Sequence, residues 1–295
     1  MFRNLNARAL GVSGHQSELI ELALTYHFQG FDLNVIELCD AVAARGLEHA
    51  LRLVRSAKIK LGSFVLPTVW DGDEARFKAD IAKLPGIAQV AGEAGLVRAT
   101  TPIAPASDDR PYHENFELHR QRLAAVAEAL GPHGVRLGLE FSAVAQHRKD
   151  KAFEFIHDLD QLLVLVESIG SPHVGVVLDA WQNHVAGGNH ETLKKAKPGQ
   201  IVVVRVAEAP ADLPPERCAE TDRLLPAEEG IVDVPGILTW LSEIDYDGPV
   251  TPTPAKQRIH GRTRDLLVKG AGEALANAWR AAGLPVGSRL AAVES

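Results

Sequence analysis

Cysteine is almost absent from this chain, and that scarcity excludes two architectures. Cys39 and Cys218 alone cannot make a disulfide framework or a cysteine-rich zinc site. Basic charge is also in deficit. The 31 Lys and Arg against 38 Asp and Glu leave a formal net charge of −7, which argues against a nucleic acid or an anionic membrane as partner, because both need a basic patch. Long apolar runs are missing, and none approaches the roughly 20 residues that span a bilayer. The first residues, MFRNLNARALGV, lack the apolar core and small-residue cleavage site of a secretory signal, so a cytoplasmic location is expected. No glycine-rich phosphate fingerprint follows a strand, and no G-x-S-x-G elbow occurs.

What is present is a regular alternation. Short apolar or β-branched runs alternate with longer stretches of helical period. Strands are expected at 9–14, 31–38, 59–67, 96–103, 135–141, 174–180, 201–206 and 249–254. Helices are expected at Gln16–Phe28, Asp40–Ser56, Asp73–Ala94, Asn115–Leu130, Asp158–Ile169, Val234–Ile244 and Thr263–Ala282, with Pro85 kinking or dividing the third. Ser17 and Asp158 are placed to cap helix N-termini. Gly30, Gly95, Gly131 and Gly170 fall where helices should stop. The strands are apolar at nearly every position, as parallel strands covered on both faces are. Eight such units in one series predict an α/β fold, a (β/α)8 barrel forming a single domain over 1–295. Residues 209–230 are Pro-rich and charged and read as an extended loop after the seventh strand.

A barrel places its chemistry where the strands end. Glu140 follows LGL and Asp179 follows VVL, and a carboxylate continuing a buried strand is costly unless paired, hydrogen-bonded or bound to a cation. The two acids therefore read either as a site for a divalent metal or a moving proton, or as loop caps paired with Arg205 or Arg98. Arg205 within IVVVRV reads as an anion or hydroxyl anchor, or as the counter-ion of Glu140 or Asp179. His184 follows Asp179 closely and either turns into the site or is solvated. Trp70 follows the third strand, and Gln182, Glu208, Thr251 and Thr253 follow or end others.

The stretches LGLEF (137–141), GVVLDAW (175–181), VRVAEAP (204–210), RLLPAEEGIVDVPGIL (223–238) and YDGPVTPTP (246–254), together with PASDDRPYHENFELHRQRL (105–123), resemble the sugar phosphate isomerase/epimerase family of xylose isomerase-like TIM barrels. The resemblance covers nearly the whole chain. It implies a divalent metal (manganese, magnesium, cobalt or zinc) held by Glu, Asp, His and Glu on successive strands. Proton transfer at carbon would then pass through an enediolate. Glu140 matches the first Glu and Asp179 the Asp. Arg205 stands at the His position, Thr253 at the last Glu, Gln182 at the His of a D-x-x-H pattern, Glu208 at an Asp, and Ala227 at a Gly.

These departures bear on the metal. A guanidinium cannot ligate a cation and repels one, by about 4 kcal/mol per unit charge product at 4 Å and an effective dielectric of 20, doubled for a divalent ion. The expectation is therefore a degenerate metal site and no cofactor, with the guanidinium of Arg205 standing in for the metal by pairing with Glu140 and Asp179. A rescue of the metal site by His184 and Glu208 is the weaker reading. The resemblance then implies an isomerase/epimerase-like enzyme acting on a small sugar or polyol-like substrate. Glu140 and Arg205 would be catalytic, and Asp179, Gln182, His184, Glu208, Thr253, Trp70 and Arg98 would bind substrate. A non-catalytic sugar-binding barrel and a divergent lyase or isomerase are the alternatives. A metal-dependent DNA endonuclease is disfavoured by the charge and by Arg205 and Thr253. The resemblance also allows a homo-oligomer.

Overall fold

The computed structural model describes residues 1–286. Its strands are β1 (Phe2–Leu5), β2 (Gly30–Phe31), β3 (Lys60–Leu61), β4 (Phe64–Val65), β5 (Arg98–Pro102), β6 (Ala106–Ser107), β7 (Arg136–Glu140), β8 (Phe153–Glu154), β9 (Val174–Asp179), β10 (Ile201–Val206) and β11 (Pro249–Pro252). Nine of them form one parallel sheet in the order β3-β2-β1-β11-β10-β9-β7-β5-β4. The sheet's two ends, β3 and β4, are consecutive pieces of one stretch split at Gly62–Ser63, so the sheet closes into a barrel. The remaining pair, β6 and β8, is a short antiparallel ribbon over the loops that follow β5 and β7.

Helices α1 (Gln16–Thr25), α2 (Val35–Arg45), α3 (Leu47–Ser56), α4 (Glu74–Ile81), α5 (Leu84–Ala94), α6 (Tyr112–Leu130), α7 (Leu159–Ile169), α8 (Ala180–Val185), α9 (His190–Leu193), α10 (Val234–Glu243) and α11 (Arg264–Ala281) follow the strands. The main core lies between these helices and the outer face of the barrel. Leu84, Leu123, Leu130, Leu137, Leu139, Val204 and Leu275 there are fully buried. Inside the barrel, Val177, Val202 and Val203 form a separate apolar plug. Gly138 makes room for it, since a Cβ there would lie 3.0 Å from Val177 and 3.2 Å from Val202. The interior above the plug is polar.

The first strand differs from expectation. It is FRNL, not residues 9–14, which form a turn with Gly11 at φ 67° while Leu10 and Val12 anchor it inward. Arg3 and Asn4 disguised the strand, yet both are buried. The 31–38 run is also only part strand. Asn34 accepts from the amides of Ile36 and Glu37, which starts α2 and turns VIEL into helix. Gly46, at φ 80°, then splits the expected second helix into α2 and α3. Pro85 lies in the first turn of α5 and divides the third as expected. Asp158 caps α7, whereas α1 starts from His15 rather than Ser17. Gly95 and Gly170 close helices in the left-handed conformation. Gly131 follows α6 directly. Gly30 ends no helix and lies in β2.

Candidate active site

Parallel strands aim their C-terminal ends at one face. Glu140 closes β7 and Asp179 closes β9, while Arg205 is next to last in β10. Arg205 lies in register with Asp179 on one side and with Thr251 of β11 on the other. Its Nη1 donates to both oxygens of Glu140, at 2.6 Å to Oε2. Burial pushes the Glu140 carboxyl above the usual carboxylate range. Arg205 pulls it back and the Asp179 charge pushes it further up.

Asp179 finds a different partner from the expected Arg205. It is 2% exposed, and its Oδ1 accepts from the amides of Trp181 and Gln182 at 3.0 Å, which caps α8. Arg223 Nη1 donates to both its oxygens, at 3.3 and 3.0 Å. The same Nη1 donates to Thr253 Oγ1 at 3.2 Å, and Nε donates to Glu220 Oε2 at 2.6 Å. The guanidinium stacks on Trp181, 4.3 Å from the ring centroid. Burial works against its charge, but Asp179 and Glu220 outweigh that and hold its pKa above the ordinary arginine value. Gln182 completes the frame. Its Oε1 accepts from Ala143 N at 2.8 Å and its Nε2 donates to Glu220 Oε1 at 2.9 Å.

A second polar cluster faces the barrel mouth from β1 and β2. Asn4 Nδ2 donates to Asp32 Oδ1 at 2.8 Å and to Thr251 Oγ1 at 3.0 Å, and Ser63 N donates to Asp32 Oδ1 at 2.7 Å. Burial raises the Asp32 pKa against the pull of these donors and of Arg205. A Cβ at Gly62 would collide with Asn4 and Asp32, so the split between β3 and β4 makes room for this cluster. Beside it a cavity of about 350 Å³ opens, lined by Asp179, Arg205, Glu220, Arg223, Thr253 and Lys256 among others.

The other expected site residues lie elsewhere. Arg98 begins β5, so it sits at the opposite end of the barrel, where its Nη2 pairs with Asp247 at 3.2 Å. This corrects its expected substrate role. A strand's first residue faces the wrong end whatever its charge. Glu208 is committed to backbone. It accepts from Val232 N at 2.8 Å and Val234 N at 3.0 Å, pinning the loop to the start of α10, and burial raises its pKa. Trp70 is buried, donates to Thr101 Oγ1 at 2.8 Å and packs edge-on against His119. His184 lies on α8, half-buried, and lines no part of the cavity. Its Nε2 has no partner among the described residues, and burial lowers its pKa.

Arg223 and Glu220 were given no place on Asp179 by the sequence, because they arrive from the long Pro-rich loop. Asp32 carried the same signal as Glu140 and Asp179, an acid directly after a strand, but was hidden inside an overlong strand assignment.

The donor set does not fit a divalent cation. Both Glu140 oxygens face Arg205, and both Asp179 oxygens accept from Arg223. Among the described residues, no cluster of three His, Cys, Asp or Glu side chains is arranged to hold a metal ion. No helix among them is long and apolar enough to cross a membrane.

A family model described as a xylose isomerase-like TIM barrel matches residues 8–274. An inosose isomerase of Bacillus velezensis is 26% identical over 151 residues, a match that spans 51% of this chain and 51% of that relative. A solved xylose isomerase domain protein from Alicyclobacillus acidocaldarius superposes with a TM-score of 0.83 at 23% identity, covering 96% of this chain and 99% of that one. The IOLI protein, solved with a binding zinc atom, superposes with a TM-score of 0.74 at 18% identity, covering 94% and 98%.

Proposed function

The chain belongs to the xylose isomerase-like TIM barrel family, and from that premise we propose that it moves a proton at carbon in a polyhydroxylated carbonyl substrate, as sugar isomerases and epimerases do, without a divalent metal. The observation that carries this reading is Arg205, which pairs with Glu140 at the barrel mouth while lining the cavity. Glu140, its pKa raised by burial, is suited to take a proton from the carbon beside the carbonyl and to return it. The bonding electrons pass to the carbonyl oxygen and give an enediolate. Arg205 Nε and Nη2, which donate to no described residue, are the groups that would meet that oxygen. Return of the proton to the neighbouring carbon, with the hydroxyl proton moving the other way, completes an isomerisation. Return to the same carbon from the other face, an epimerisation, would need a second acid on that face, a part that Thr253, standing at the family's last Glu position, cannot play.

An inosose is the first substrate to try, since the relatives matching half the chain are inosose isomerases. The enzyme would be incubated with the ketose in deuterated water with a chelator and followed by proton NMR. Deuterium is expected at the carbon beside the carbonyl, with chelator making no difference and Glu140→Gln abolishing the exchange. Exchange abolished by chelator would refute the metal-free reading. Thermal stabilisation by the sugar with no exchange would point instead to a non-catalytic sugar-binding barrel.

A further inference from the structure

The acids around the barrel mouth fall into two kinds. Asp179 and Glu208 are closed in, 2% and 3% exposed, and their bonds serve the frame, on α8 and Arg223 for one and on the start of α10 for the other. Glu220 is tied to Gln182 and Arg223. Glu140 and Asp32 differ, since both are only half-buried. The hydrogen bonds to Asp32, from Asn4 Nδ2 and Ser63 N, both fall on Oδ1, and Oδ2 accepts neither. The two acids stand across the barrel from each other. Between β2 and β7 the sheet places β1, β11, β10 and β9 on one side, and the split β3/β4 with β5 on the other. Asn4 ties Asp32 to Thr251, and Thr251 is in register with Arg205, so Asp32 joins the layer of side chains that holds Arg205. Burial raises both carboxyls, and among the groups that draw them back down Arg205 acts on each.

We propose that Asp32 is the second acid–base group of this site, serving the face of the substrate turned away from Glu140, so that the reaction is an epimerisation at the carbon beside the carbonyl. This rests on the reading above, in which Glu140 works one face and Arg205 meets the enediolate oxygen. The partners decide which acid holds the proton. Glu140 is bonded to a guanidinium, which favours its carboxylate, whereas the bonds to Asp32 come from neutral amides. Glu140 therefore starts ionised and Asp32 protonated. Glu140 takes the carbon-bound proton, the C–H pair becomes a carbon–carbon double bond, and the carbonyl pair moves to oxygen. Asp32 then gives its proton to the same carbon from the opposite face. The double-bond pair forms the new C–H bond and the carbonyl returns. The substrate keeps its formula, Glu140 ends protonated and Asp32 ionised, and exchange with water resets both.

An acid needed only for the frame could be replaced by asparagine, whose Oδ1 accepts the same two bonds. The test uses that difference. Scyllo-inosose and its epimer at one carbon beside the carbonyl would each be incubated in deuterated water with the wild type, Asp32→Asn and Glu140→Gln. Proton NMR would follow deuterium uptake and epimer formed. The wild type is expected to exchange and interconvert both. In Asp32→Asn the epimer formed per deuterium taken up from scyllo-inosose should fall at least about hundredfold, the lower end of what a positioned acid contributes. A folding defect lowers both readouts together and leaves their ratio. Glu140→Gln should exchange only the epimer, whose hydrogen faces Asp32. An unchanged ratio in Asp32→Asn, loss of all exchange in that variant, or no exchange of the epimer by Glu140→Gln would overturn the proposal. A wild type that exchanges scyllo-inosose and forms no epimer would overturn it and leave proton transfer by Glu140 standing. A wild type that exchanges neither compound would remove that reading, and this inference with it.

Discussion

Taking away the Arg223 guanidinium leaves Asp179, 2% exposed, with two backbone donors and no counter-ion. Breaking a buried pair by removing one partner costs about 3–5 kcal/mol, so Arg223→Met should destabilise by that order in urea unfolding. A loss below about 1 kcal/mol would mean that the mouth is more open to water than its burial indicates. A second residue-level expectation concerns His119, packed between Trp70 and Phe155 with its Nδ1 2.7 Å from Asn115 O. Burial holds its pKa down at about 4, against an ordinary value of 6.5. The folded state thus favours neutral imidazole. The stability this group contributes is complete above pH 6.5 and is lost as pH falls towards 4. Unfolding titrations at pH 7.5 and 4.5 should differ by about 2–3 kcal/mol more in the wild type than in His119→Phe, which cannot take up the proton. Equal differences would contradict the assignment.

Elements read from sequence succeeded where one local signal dominated. IVVVRV is β10 residue for residue, and Asp158 starts α7 by accepting from Gln161 N at 2.8 Å. Asp158→Ala should cost about 1 kcal/mol, readable as a lowered thermal midpoint with the fold retained. No drop would mean that the packing of Leu162, Leu165 and Val166 alone sets that helix end. Elements failed where two signals overlapped. The FDLNVIEL run holds a strand end, an N-cap and a helix start within eight residues, and the apolar count hid the cap. The loop at 209–230 was legible as long and exceptional. Its contribution of Glu220 and Arg223 to the barrel mouth was not, because pairing across 44 residues leaves no mark in local spacing.

At the scale of the molecule, the strand count carried the barrel, because each strand must be buried on both faces and so reads as an apolar run. The candidate site was legible only where a charge interrupted such a run. Glu140, Asp179 and Arg205 stood out for that reason, and Arg98 did too, though at the wrong end of its strand. Which charge pairs with which was beyond sequence, since Arg205 and Arg98 both stood as candidate partners of Glu140 and Asp179 while Arg223 lay in a distant loop. In the fold each acid has its own guanidinium, and the whole barrel mouth is arranged around that division. The proposal that the chain holds no divalent cation rests on that division. The deciding measurement is the metal content of the purified chain after equilibrium dialysis against manganese and against zinc, compared with Glu140→Gln. The expected result is substoichiometric metal in both proteins, with no difference between them. One equivalent of metal in the wild type that disappears in Glu140→Gln would contradict it.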